Sequence, residues 1–170
     1  MTEPHRSFDG QADGNIYEYA ARSVLALYAD FVNGSPSSVL AVVAEHRLPP
    51  DAVSALKASA ERLGYGRDGI AWISLRPSVA QDAESMKLGE KDLYTIIEGI
   101  DPIGIIATDD SAARMIGLAY GVECRPNSVQ DVNARCTVAL GDFALMLKDP
   151  DSKQKAWRLM KHLQLRRSER

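Results

Sequence analysis

The chain has 170 residues, 45% of them hydrophobic, and carries 20 Lys and Arg against 23 Asp and Glu for a net charge of −3. That is enough for one domain with a core of ordinary size, and the acidic balance excludes the overall basic footprint of a strong nucleic-acid binder, leaving only local patches. Two cysteines, Cys124 and Cys136, are too few for an iron–sulfur cluster or a four-cysteine zinc site, and no motif calls for a cofactor. With no basic-then-apolar leader and no run of eighteen apolar residues, the expected location is cytoplasmic, with both thiols reduced and no membrane partner.

Residues 1–14 contain Pro4, Gly10 and Gly14 without an apolar period and read as a loose tail. A single α/β domain is expected over 15–163, followed by a basic tail over 164–170. From Ile16, the apolar positions Ile16, Ala20, Val24, Leu27 and Phe31 predict an amphipathic helix ended by Asn33-Gly34. Ser38 to Ala44 is continuously apolar, as a strand covered on both faces should be. Pro49-Pro50-Asp51 then opens a helix with Val53, Leu56, Ala60 and Leu63 on one face. Gly64 to Gly69 matches the letters G-x-G-x-x-G, but it follows a helix and precedes a strand, so it reads as a helix C-cap and turn rather than a phosphate cradle.

The second strand, Ile70 to Leu75, closes at Arg76-Pro77 and should hold Trp72 largely buried; a polar loop runs on to Gly89. Leu93, Ile96, Ile97 and Ile100 predict a helix over Glu90–Ile100. After the Asp101-Pro102 turn, Ile103 to Ala107 is a third strand, and Thr108-Asp109-Asp110-Ser111 offers cap oxygens to a helix from Ala112 to Tyr120. Val122 to Ala134 has no clear period and reads as an ordered surface loop. Arg135 to Leu140 is a fourth strand, and Lys153 to Leu163 a last helix burying Ala156, Trp157, Met160 and Leu163. Four strands separated by helices, with no hairpin signal, predict a three-layer α/β/α domain on a four-stranded parallel sheet of order 2-1-3-4.

Parallel strands would bring their carboxyl ends to one rim, where ligands of open α/β sheets tend to sit. That rim gathers Glu45, His46, Ser74, Arg76, Thr108, Asp109, Asp110, Asp142 and Phe143. Glu45, Asp109 and Asp142 have the hard oxygens a divalent cation takes, but the aspartates suit helix caps better, and no metal site is assigned. His46 beside Glu45 has the chemistry of a general acid or base without a third group to orient it. Ser111 lacks the G-x-S-x-G context of a nucleophile elbow. The concentrated positive surface is the last helix and tail, with Lys153, Lys155, Arg158, Lys161, Arg166 and Arg167, and Lys153, Arg158 and Lys161 are the candidate nucleic-acid contacts.

The segment Leu75 to Gly117, LRPSVAQDAESMKLGEKDLYTIIEGIDPIGIIATDDSAARMIG, and the segment Gly141 to Trp157, GDFALMLKDPDSKQKAW, carry a resemblance. Over roughly residues 38–163 the order of elements and these two passages resemble the uracil-DNA glycosylase superfamily. The resemblance implies a glycosylase-like fold, with Glu45, His46 and Asp142 as the candidate catalytic residues, while the parallel topology puts Arg76, Thr108, Asp109, Asp110 and Phe143 on the ligand-binding rim. The residues depart from the family's chemistry. Its glycine-rich first loop is Ala44-Glu45-His46-Arg47-Leu48 here, retaining only the glutamate, and Asp142 or a neighbour stands where the family carries a histidine. An ionised aspartate cannot donate to a departing uracil anion. The expectation is a glycosylase-like binding or interaction module without that activity, touching nucleic acid, if at all, weakly and in a salt-sensitive way. A divergent active glycosylase is one alternative. The other comes from Glu45 and Ala107-Thr108-Asp109, which are also similar to the metal-binding acids of topoisomerase–primase (Toprim) domains, although Asp109 and Asp110 are adjacent rather than two apart.

Overall fold

The computed structural model describes residues 15–77 and 86–165. The tail expected over 1–14, residues 78–85 of the polar loop, and residues 166–170 with Arg166 and Arg167 lie outside the described residues. In chain order the elements are α1 (Ile16–Leu27), β1 (Val32–Asn33), β2 (Leu40–Ala44), α2 (Pro50–Leu63), β3 (Ile70–Ser74), α3 (Glu90–Ile100) and β4 (Gly104–Ala107). They continue with α4 (Asp110–Tyr120), β5 (Ser128–Val132), β6 (Arg135–Ala139), α5 (Phe143–Met146) and α6 (Pro150–Met160), the last running into a 3-10 turn over Lys161–Leu163.

One sheet of order β1-β3-β2-β4-β6-β5 organises these elements. β3, β2, β4 and β6 pair in parallel, with Val42 opposite Trp72 on one side and Ile106 on the other. These are the four strands read from the sequence, in the order expected. The sheet is nonetheless six-stranded and mixed, which corrects the expectation of four parallel strands, because β1 and β5 add antiparallel edges. β5 lies inside the segment read as a loop. It buries only Val132 and lacks an apolar alternation, and the turn joining it to β6 is Asn133-Ala134, with φ of 49° and 62°. A two-residue turn with both φ positive is usually announced by Asn-Gly, and alanine in the second place hides it. β1 is only two residues long, too short for a periodicity to show.

The central strands alternate between two cores. Ala41, Val43, Ile105 and Ala107 face α3 and α4, where Leu93, Ile96, Ile97, Ala112, Ala113 and Ile116 are fully buried. Leu40, Val42, Ile106 and Val138 face α2, α5 and α6 through Ala52, Leu56, Phe143, Ala156 and Met160. Gly104 serves that second core by its size. A Cβ there would stand 2.9 Å from Leu163 Cδ2, where the 3-10 turn closes down and Tyr65 donates its hydroxyl to the Leu163 carbonyl at 2.6 Å. Gly64, at φ 97°, caps α2, so the G-x-G-x-x-G stretch is the C-cap and turn expected.

Some apolar positions differ from expectation. Helix α1 buries Ala21 and packs Val24 and Leu25, while Ile16 and Leu27, assigned to its inner stripe, are each 75% exposed. Its seam is narrow because its principal neighbour is the single helix α3. Trp157 is half-buried, with the Arg62 guanidinium 5.1 Å and the Lys161 ammonium 6.0 Å from its ring centroid, rather than a core residue. Trp72, expected to be largely buried, is also half-buried, because β3 lies one strand from the sheet's edge and beyond it β1 is only two residues long.

Candidate functional site

The carboxyl ends of β2, β3 and β4 meet as the topology requires and bring Glu45, Arg76, Thr108 and Asp109 together. Asp109 follows β4 and caps α4: its Oδ1 accepts from the Ala112 amide at 2.8 Å, and its Oδ2 accepts from the Glu45 amide at 2.9 Å. Thr108, buried, donates its hydroxyl to the Val43 carbonyl at 3.2 Å. One carboxylate thus ties the start of a helix to the end of the neighbouring strand. This is the hydrogen-bonding work that aspartate does well at an N-cap, where backbone amides lack intrahelical partners.

The Glu45 side chain faces Arg76, with Nε to Oε1 at 3.4 Å, and the Arg76 amide donates to the Glu45 carbonyl at 2.9 Å. A hydrogen bond from Ser111, followed by those from Arg76 and the charges of His46 and Lys87, holds the Glu45 carboxyl below its ordinary range against the upward push of burial. Such a group is a carboxylate at neutral pH. It can accept a proton or hold a cation, and it is poorly suited to donating a proton.

The remaining rim residues separate. Asp142 is exposed and caps α5, accepting from the Leu145 amide at 3.1 Å. Phe143 is 1% exposed and belongs to the core under α5, and its amide donates to the Thr108 carbonyl at 3.0 Å, so its ring is not offered to the rim. His46 and Asp110 are exposed beside this cluster. Among the described residues no group of three or more His, Cys, Asp or Glu is arranged to hold a metal ion. Lys153, Arg158 and Lys161 are exposed along α6 and its 3-10 extension; Arg158 donates to Gln154 at 3.2 Å, and Lys161 lies over Trp157.

A concave site lies beside this rim, and no motif in the sequence announces it. A cleft of about 450 Å³ opens at the β1–β3 edge, between that edge and the flank of α2, where Trp72, Val42, Val53, Leu48, Arg47 and Lys57 line it. α2 turns Ala52, Leu56 and Ala60 onto the sheet, which leaves Val53 and Lys57, four residues apart on one side of the helix, to form the wall. The legible signal was Arg47, one residue past His46 at a strand end, with Lys57 one turn beyond Val53. The cleft itself exists because the edge strand β1 is short, and that was not legible.

No protein-family model matches the chain, and no curated protein matches it. Among the described residues, no helix is long and apolar enough to cross a membrane.

Proposed function

We propose that the chain is a uracil-DNA glycosylase-like domain that serves as a binding module and carries no glycosylase activity. The observation that carries this reading is the commitment of the rim to the backbone. Asp109 spends both carboxylate oxygens on the Ala112 and Glu45 amides, and Glu45 is paired with Arg76. Releasing a base requires an aromatic surface to stack it and a donor for the leaving anion. Phe143 is buried in the core, and Asp142 is an accepting cap. His46 is the exposed donor, and no side-chain hydrogen bond among the described residues orients it. The same commitments weigh against magnesium chemistry of the topoisomerase–primase kind, which needs Asp109 oxygens that here accept from backbone amides.

Nucleic-acid contact, where it occurs, is assigned to Lys153, Arg158 and Lys161, since the sheet rim carries Glu45, Asp109, Asp110 and Asp142 and repels phosphate. Contacts of that kind are independent of sequence and weaken steeply with salt. We place the protein in the cytoplasm, where Cys124 and Cys136, both free thiols, remain reduced. The test is release of uracil from single- and double-stranded DNA. None above a protein-free blank is expected, and release that disappears in Glu45→Gln would overturn the reading.

A further inference from the structure

We propose that the cleft at the β1–β3 edge binds a small planar anion, an aromatic carboxylate or a phosphate monoester, with its ring against Trp72 and its acid group between Arg47 and Lys57. The inference rests on the binding-module reading and names that module's ligand class. Four features support it. The volume of about 450 Å³ lies within the roughly 300–1,000 Å³ typical of small-molecule sites. Trp72 is half-buried and lines the cleft together with Val42 and Val53, so part of a large π surface is left without protein cover. Arg47 and Lys57 both line the cleft, and neither has an ion-pair partner among the described residues, whereas Glu45 and Asp109 on the adjacent rim are already engaged. Among the described residues Asp30 is the single carboxylate lining the cleft, so their lining carries a net positive charge and one acceptor for a ring N–H or O–H.

The charge sets the ligand's sign, and the indole sets its shape. A guanidinium donates two parallel hydrogen bonds to a carboxylate or phosphate, and an ammonium adds a point charge beside it, so the pair selects an anion over its neutral amide or nucleoside counterpart. The indole and the aliphatic side chains that share the lining offer apolar surface that a flat ring covers and a hydrated inorganic ion does not.

The full-length chain has two tryptophans, so in a Trp157→Phe background the emission reports Trp72 alone. Titration with 4-hydroxybenzoate and with adenosine 5′-monophosphate, each beside its neutral counterpart 4-hydroxybenzamide or adenosine, separates the two sources of the anion. The expected result is a saturable change in Trp72 emission for one of the anions with half-saturation below about 1 mM, at least about tenfold weaker for the neutral partner. The Arg47→Gln, Lys57→Gln double variant should weaken binding by at least about tenfold. If the double variant unfolds, Arg47→Gln alone, at an exposed side chain, carries the same test with a smaller weakening. Absence of a saturable change for both anions, equal binding of anion and neutral partner, or binding unchanged by the substitutions would each overturn the proposal. Uracil release assayed on the same preparation decides the binding-module reading separately, so the failure of one is distinguishable from the failure of the other.

Discussion

The two ends of the sheet both collect charge, and they use it differently. At the amino-terminal end, Arg135 opens β6 with its side chain 9% exposed. It reaches Glu98 at 2.7 and 3.3 Å, Asp101 at 2.8 Å and the Pro102 carbonyl at 3.0 Å. Glu98 also accepts from the Tyr120 hydroxyl at 2.7 Å and the Asn133 amide at 3.2 Å, so five elements or turns share one knot. At the carboxyl-terminal end the ion pair of Arg76 with Glu45 is a longer contact, 3.4 Å, with side chains 24% and 29% exposed, and Asp109 beside it is spent on backbone amides instead. The difference teaches where to look for ligand chemistry. Polar residues concentrated at a strand end can be the fold's own fasteners, and cations without an ion-pair partner among the described residues, such as those of the edge cleft, are the groups left over for something else.

The largest effect should come from the amino-terminal knot. Arg135→Met leaves Glu98 and Asp101 without their shared cation and should cost about 3 kcal/mol in urea unfolding, as breaking a buried ion pair does. A loss below about 1 kcal/mol, typical of exposed pairs, would erase the contrast between the ends. The Asn133-Ala134 turn sharpens it with the opposite sign. Alanine at φ 62° is strained, so Ala134→Gly should raise stability by about 0.5–1 kcal/mol after the greater chain entropy of glycine is deducted. A destabilised variant would mean that the alanine side chain packs usefully at this turn.

Smaller still is the dependence on pH. Burial alone would raise the Glu98 carboxyl, but hydrogen bonds from Arg135 and Tyr120 outweigh it and hold the group below its ordinary value. Its folded value therefore lies below its unfolded one, near about 4.3. The stabilisation it brings is complete above the unfolded value and is lost as pH falls through the folded one. Wild type should accordingly lose stability below about pH 4.3 more steeply than Glu98→Gln, and parallel acid profiles would contradict this. Smallest of all is Glu45→Gln. Its half-exposed pair should cost less than about 1 kcal/mol, with the thermal midpoint almost unmoved.

The central sheet was legible because β2, β3, β4 and β6 are apolar runs punctuated by proline, glycine and aspartate, and because parallel crossovers leave few topologies. The edges were not. β5 carries Gln130 and Asp131 among its five residues and depends on cross-strand pairing with β6, and β1 depends on β3; neither has a local pattern. The rim was legible as a list of residues and illegible as a set of bonds. The Asp109 cap of α4 can be read from Thr108 to Ser111, but its second oxygen meets Glu45 across 64 positions of chain. Likewise Phe143 was assigned to the rim because it follows a strand, whereas the four-residue helix α5 turns it into the core. The cleft was missed because it depends on how far α2 and β1 extend over Trp72, which no spacing reports.

The most direct test of the rim's structural role is the unfolding free energy of Asp109→Ala, measured in urea beside wild type. Removing a carboxylate that caps α4 and binds the Glu45 amide should cost about 2 kcal/mol without changing the denaturant slope. Stability unchanged or increased would contradict it, since a carboxylate held for chemistry rather than for the fold typically stabilises the protein when it is removed.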